Sequence, residues 1–147
     1  MKKIIYSLLI ILVLIISGCS NQKTTEYHYT YKGENELWSV EYKVDGSTIL
    51  TTKKEGTLSV TTNKDTVLTA TYKNDISELQ GVKNITISYD WTYGGGSLIH
   101  EYDDTPPTQT VFTIKSSSTN GPIERKDEII YVTISINGEE QIIELKV

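Results

Sequence analysis

One cysteine, three prolines, one phenylalanine, one methionine and two histidines are all that this 147-residue chain holds of those residue types. A lone cysteine excludes an internal disulfide, so the folded part must be stabilised by its own core. His28 and His100 with Cys19 are too few for a zinc site, and no loop has the ligand spacing of an EF-hand. No metal and no cofactor is therefore expected, even at the acidic stretch Glu101, Asp103 and Asp104. Gly-x-Ser-x-Gly is absent, and no glycine loop is followed by a helix that would complete a phosphate cradle. Basic residues are also outnumbered, 14 against 19 acidic, for a formal net charge of −5. Nucleic acid, whose phosphates demand a basic face, is excluded as a partner. No internal repeat and no second domain are evident.

What is present begins with the N-terminus. Lys2 and Lys3 precede residues 4–16, apolar except for Ser7, and Ser17-Gly18-Cys19 follows. A run of 13 positions falls short of the ~20 apolar residues that a membrane-spanning helix needs, and it suits the hydrophobic region of an export signal. The motif Ile16-Ser17-Gly18-Cys19 resembles a lipobox, the cleavage signal of bacterial lipoproteins. The resemblance implies cleavage between Gly18 and Cys19, with lipid carried on the Cys19 sulfur. It places the chain on the outer face of the cytoplasmic membrane. The competing readings are an uncleaved helix and a free thiol. The expected division is a signal peptide over 1–18, a lipidated cysteine and polar tether over 19–26, and a single domain over 27–147. Lys2 and Lys3 are the only charges before Cys19, so the remainder carries 12 basic and 19 acidic side chains, a formal −7. Such a balance gives no support to a second, electrostatic hold on anionic lipid.

Past residue 26 the pattern has period two and is rich in β-branched and aromatic residues, which reads as strands. Strands are expected over 27–32, 38–44, 48–53, 57–62 and 66–73. Asp45-Gly46, Lys54-Glu55-Gly56 and Asn63-Lys64-Asp65 read as turns between them. A short helix capped by Asp75 is expected over 76–80. Strands follow over 85–91, 97–102 and 109–115, with loops at 103–107, where Pro106 and Pro107 cannot donate to a ladder, and at 116–122. Asn137-Gly138 between 128–136 and 139–147 predicts a type I′ hairpin, with Ile130, Val132, Ile134 and Ile136 facing Ile143, Leu145 and Val147. About nine strands without a long helix predict an all-β antiparallel sandwich, with immunoglobulin-like topology preferred.

Tyr29-Thr30-Tyr31-Lys32-Gly33-Glu34, then Trp38 and Tyr42, and later Asn120-Gly121-Pro122 and the terminal Asn-Gly hairpin, carry a second resemblance. The chain is similar to small lipoproteins of low-GC Gram-positive bacteria, Bacillus-like and Clostridium-like. In these an aromatic-x-Gly-Glu segment and a tryptophan follow soon after the lipidated cysteine. The resemblance implies the address and a compact β domain. It implies no reaction and no catalytic residue.

Two constellations are candidates for binding. Glu34 beside Trp38 suits a cationic ligand or a peptide amine, but a turn at Gly33 and a core indole explain the same residues. Tyr89, Trp91 and Tyr93 before Gly94-Gly95-Gly96 suit a sugar ring or a peptide side chain, with glycines that let a ligand approach the backbone. A core-facing strand and a glycine hairpin are the alternative. Neither histidine sits in a nucleophile motif, so catalysis is not expected. The expected function is a non-catalytic binding domain, moored to the membrane through Cys19, whose partner is a surface protein, a peptide or a cell-wall component. A shielding or immunity lipoprotein is a variant of that class. A small wall-modifying hydrolase using two carboxylates is the competing one.

Overall fold

The period-two patterning closes into two antiparallel sheets in a computed structural model that describes residues 21–53 and 56–147. Gly18 and Cys19 lie outside the described residues. The strands are β1 (Asn21–Glu34), β2 (Trp38–Thr52), β3 (Leu58–Tyr72), β4 (Asn84–Trp91), β5 (Gly94–Glu101), β6 (Val111–Thr119), β7 (Ile130–Ile136) and β8 (Glu139–Leu145). One sheet has the order β1-β2-β3-β6 and the other β5-β4-β7-β8. An isolated bridge between Lys32 and Lys146 joins the rim of the first sheet to the end of the second. The protein is an all-β sandwich. Two neighbour pairs, β3 with β6 and β4 with β7, are non-consecutive in sequence, so the chain crosses between the sheets.

Alternation sorts the core. Tyr31, Trp38, Val40, Tyr42, Val44, Leu68, Ala70 and Phe112 from the first sheet meet Ile85, Ile87, Tyr89, Ile130, Val132, Ile134, Ile143 and Leu145 from the second. Trp38 packs on Tyr72 at 5.2 Å and Phe112 at 5.8 Å between ring centroids. The terminal hairpin forms as expected: Asn137 and Gly138 take φ of 51° and 90°, the left-handed pair a type I′ turn needs. The Asn137 side chain also accepts hydrogen bonds from the Lys83 and Asn84 amides, which ties this turn to the start of β4. Ile136 is only partly buried and Val147 is exposed, so the inward face ends sooner than the alternation implies. Asp75 caps a single 3-10 turn, Ile76–Leu79, by accepting from the Ser77 amide at 2.8 Å.

The first sheet departs most from expectation. Asp45-Gly46 and Asn63-Lys64-Asp65 are strand residues, paired with each other and with His28 and Tyr27 in continuous ladders. Five expected strands therefore fuse into three long ones. Residues 21–26, expected as a polar tether, pair with residues 47–52 and form the start of β1. Outer-face polar pairs support the ladder where turns were expected. His28 Nδ1 lies 2.7 Å from Asp45 Oδ1, and that hydrogen bond raises the histidine pKa above its ordinary value. Ser117 and Thr119 of β6 bond to Asp65 and Asn63. Gly46 is needed on the inner face because Ile123 packs over it, 3.2 Å from where a Cβ would stand. Ser116 to Thr119, expected as loop, likewise belong to β6.

Gly33 is also a strand residue, and the turn comes after it. Asn35 Oδ1 accepts from the amides of Leu37 and Trp38, a local side-chain turn. The reason for glycine at 33 is the second sheet: a Cβ there would run into the Glu144 carbonyl and the Leu145 side chain. Gly33→Ala is expected to push β8 off β1 and cost about 1–3 kcal/mol, as overpacking does. Urea denaturation should show the lowered midpoint, whereas Gly81→Glu, at an open position, should differ only through its positive φ.

Candidate functional site

A cleft of about 200 Å³ opens at the end of the sandwich where β4 turns into β5. Trp91 and Tyr93 form one wall, with Gly94 and Gly95. Ser116 and Ser118 of β6 and the Gly121-Pro122 segment form the other, and Tyr42, Lys64, Thr66 and Tyr89 lie beneath. The β4–β5 turn consists of Thr92 and Tyr93, and the three glycines are the first residues of β5. Register explains them. Trp91 pairs with Gly94 and Tyr89 with Gly96, and each ring lies across its glycine. A Cβ on Gly96 would stand 2.7 Å from the Tyr89 ring, and one on Gly94 would stand 3.2 Å from Trp91 Nε1. Gly94 and Gly96 thus make room for the chain's own aromatic rings, which accounts for them without a ligand. Tyr89 is buried beneath, against Tyr42 at 5.0 Å. Trp91 is half-buried, and Tyr93 is 69% exposed, edge-on to it at 5.7 Å and 82°.

Behind the aromatic wall lies a buried ionic knot. Glu124 is 1% exposed, and its carboxylate accepts from Lys64 Nζ through both oxygens at 3.0 Å and from the Tyr42 hydroxyl at 2.7 Å. Burial, then the Glu124 carboxylate, pushes the Tyr42 phenol well above the ordinary range. The same ammonium sits 4.5 Å from the centroid of Trp91. A cation held over an indole is worth about 0.5–2 kcal/mol, more as water is removed. Lys64 therefore connects the buried carboxylate to the open ring. Its charge is matched within the protein, and the residues lining the cleft include no Asp or Glu. The cleft offers ring faces, the exposed Ser116 side chain and the Lys64 ammonium, whose charge Glu124 balances, while Thr66 and the Ser118 hydroxyl are buried in its floor.

The turn has its own support. The Thr92 amide donates to Glu128 Oε1 at 3.0 Å, and Glu128 is 8% exposed. Burial alone would raise the Glu128 pKa. The hydrogen bonds from Thr92 and the Arg125 backbone, with the Arg125 charge, outweigh it and hold the carboxyl below its ordinary value.

The other expected site separates. Trp38 is fully buried in the core, with no face for a ligand, and its indole N–H has no hydrogen-bond partner among the described residues. Glu34 is exposed at the end of β1, 3.4 Å from Lys73 Nζ. His28 is exposed at Asp45, and His100 stacks on Tyr102 and meets Phe112 edge-on, so neither stands beside a nucleophile in the cleft. No group of three or more His, Cys, Asp or Glu suited to a metal occurs among the described residues. Lys64, Glu124, Glu128, Thr66 and Ser118 carry the site and were missed by sequence reasoning. Lys64 reads as turn punctuation, Glu124 belongs to a segment without periodicity, and Glu128 reads as the first residue of the strand expected over 128–136, which in the structure starts at Ile130.

Two outcomes follow from this geometry. Glu124→Ala should cost about 3–5 kcal/mol, because it strands a buried ammonium, whereas a triple Tyr42→Phe, Lys64→Met, Glu124→Leu variant should regain most of that. Chemical denaturation of both proteins measures the difference. For Glu128, a lowered folded pKa means that its support is present above the ordinary carboxyl value of 4.5 and is lost as pH falls through the folded value. The Thr92 amide resonance should shift in that acidic window, and Glu128→Gln should abolish the transition.

Comparison with protein-family models, with curated proteins and with solved structures finds no significant match to this chain.

Proposed function

We propose that this chain is a lipid-anchored, non-catalytic binding domain of the bacterial cell surface, and that the Trp91–Tyr93 cleft takes its ligand. The apolar run over residues 4–16 and the lipobox-like Ile16-Ser17-Gly18-Cys19 support the anchor. The observation that carries the binding role is the juxtaposition of a half-exposed indole, an exposed phenol and the Ser116 side chain around one cleft whose single cation, Lys64, is paired with Glu124. Such a lining favours a neutral, hydroxyl-rich ligand with an apolar face. Sugar rings of a cell-wall glycan have that chemistry, stacking on aromatic faces while their hydroxyls bond at the rim. The hydrolase reading needs two facing carboxylates, and the cleft lining contributes none. The shielding or immunity variant would use the same anchored domain with a peptide in place of the glycan.

The test is binding of the chain from Asn21 onward to purified glycan strands, wall peptides and membrane extracts, followed by tryptophan fluorescence. Trp91→Ala should weaken glycan binding by about 2 kcal/mol or more, roughly thirtyfold. Tyr93→Ala should weaken it while leaving the unfolding midpoint within about 0.5 kcal/mol, because its ring is exposed. Capture of a peptide that neither variant disturbs would overturn the cleft and move the contact to the open edge of β1, the outermost strand of its sheet.

A further inference from the structure

The three long strands run past the end of the second sheet and form an arm. Beyond the last pairing with β6, at Asn63, the ladder continues as residues 21–25, 48–52 and 58–62 with no strand over either face. Directly opposite residues share a face, so Lys23, Leu50 and Val60 form one cross-strand row and Asn21, Thr52 and Leu58 the next. This is the face that becomes the core further along, where Tyr31, Tyr42 and Leu68 form the corresponding row. The segment from Gly121 to Lys126 covers it as far as Tyr27, Tyr29, Thr48 and Thr62. Past that cover, Leu58 and Val60 are 65% and 58% exposed. The opposite face of the arm is polar apart from Ile49: Gln22, Thr51 and Ser59, then Thr24 and Thr61.

From this we infer that the arm tip is a membrane-contacting surface, seated on an anionic bilayer with Leu58, Val60 and Leu50 in its interface. The inference rests on the anchored reading given above. Two features on the tip commit it to that occupant. First, the twenty residues before the described chain join it here, and Cys19 lies two residues, about 7 Å of extended chain, from the Asn21–Thr52–Leu58 row. Whatever holds Cys19 at a bilayer holds this row against it. Second, an otherwise acidic chain turns basic locally: Lys23 stands on the arm, and Lys53, exposed, directly follows β2. Apolar side chains flanked by lysines at an interface combine buried area with attraction to anionic headgroups. The exposed Ile99 and Ile142 lie on strands at opposite edges of the second sheet and make no comparable patch.

The full chain, recovered from bacterial membranes and reconstituted into vesicles of phosphatidylglycerol and brominated phosphatidylcholine, tests this. A tryptophan is placed by Leu58→Trp in one variant and by Thr113→Trp, on the exposed face of β6, in the other. Bromine should quench the tryptophan at 58 at least twofold more than the one at 113, and Lys23→Glu with Lys53→Glu should reduce that quenching. Vesicle-bound chain with equal quenching at both positions would overturn the tip contact while leaving the anchor intact. Chain that leaves the membrane fraction with an unmodified thiol at Cys19 would overturn the anchor, and the tip contact with it.

Discussion

The two sheets differ in length, and most of the molecule's distinctive features answer that mismatch. Strands of 14 and 15 residues face strands of seven and eight. A sheet has one inner face along its whole length, because side chains alternate with strict period two. Where the shorter sheet stops, that face must be covered by something else, made polar or left open. All three solutions occur in sequence along β3. Beyond Leu68 and Ala70 in the core, Thr66 and Lys64 bring polarity at the boundary, Thr62 lies against the Gly121 segment, and Val60 and Leu58 emerge uncovered.

The boundary is where chemistry collects. The crossover from β6 to β7 bends back over the overhang, pinned by the Asn120 amide on the Thr62 carbonyl and the Thr62 hydroxyl on the Gly121 carbonyl. It sets Ile123 on Gly46 and Glu124 against Lys64 and Tyr42. A buried ion pair is weak evidence for stability, since desolvation offsets most of the attraction. What the pair does supply is geometry. It fixes an ammonium under Trp91 and balances it, so the aromatic cleft at the mouth of the sandwich holds one paired cation and no net charge. The Tyr31 hydroxyl adds to the same pinning by donating to the Arg125 carbonyl at 2.6 Å.

Legibility in the sequence followed the range of the interactions. The terminal hairpin was readable because Asn137-Gly138 dictates its own dihedrals, and the Asp75 cap because it closes over two residues. Tyr89 and Trp91 do share one face of β4, but Tyr93, expected on the same strand, falls in the turn after it. Asp45-Gly46 and Asn63-Lys64-Asp65 misled because their residue types prefer turns, while cross-strand partners as distant as Ser117 decide otherwise. Gly33 and Gly96 had reasons visible only in three dimensions, a carbonyl of β8 and a tyrosine ring. Glu124 gave no signal at all. Its partners stand 60 and 82 positions away in the chain.

The paired arm also changes what anchoring means in the proposed reading. A loose tether over residues 21–26 would let the domain sample many heights and tilts above a bilayer, with an effective concentration spread over that volume. A three-stranded ladder from Asn21 onward removes most of that freedom. Six residues separate Leu58 from Lys64, so the cleft stands about 20 Å along the arm from the tip, at 3.4 Å per residue. The entropy of placing the site is then lost once, on folding, instead of at each encounter. A neutral cleft held at fixed height near the membrane matches a ligand that is itself fixed near the membrane and carries little charge to steer it. An acidic domain gains nothing from long-range attraction to such a partner, so position supplies what electrostatics cannot.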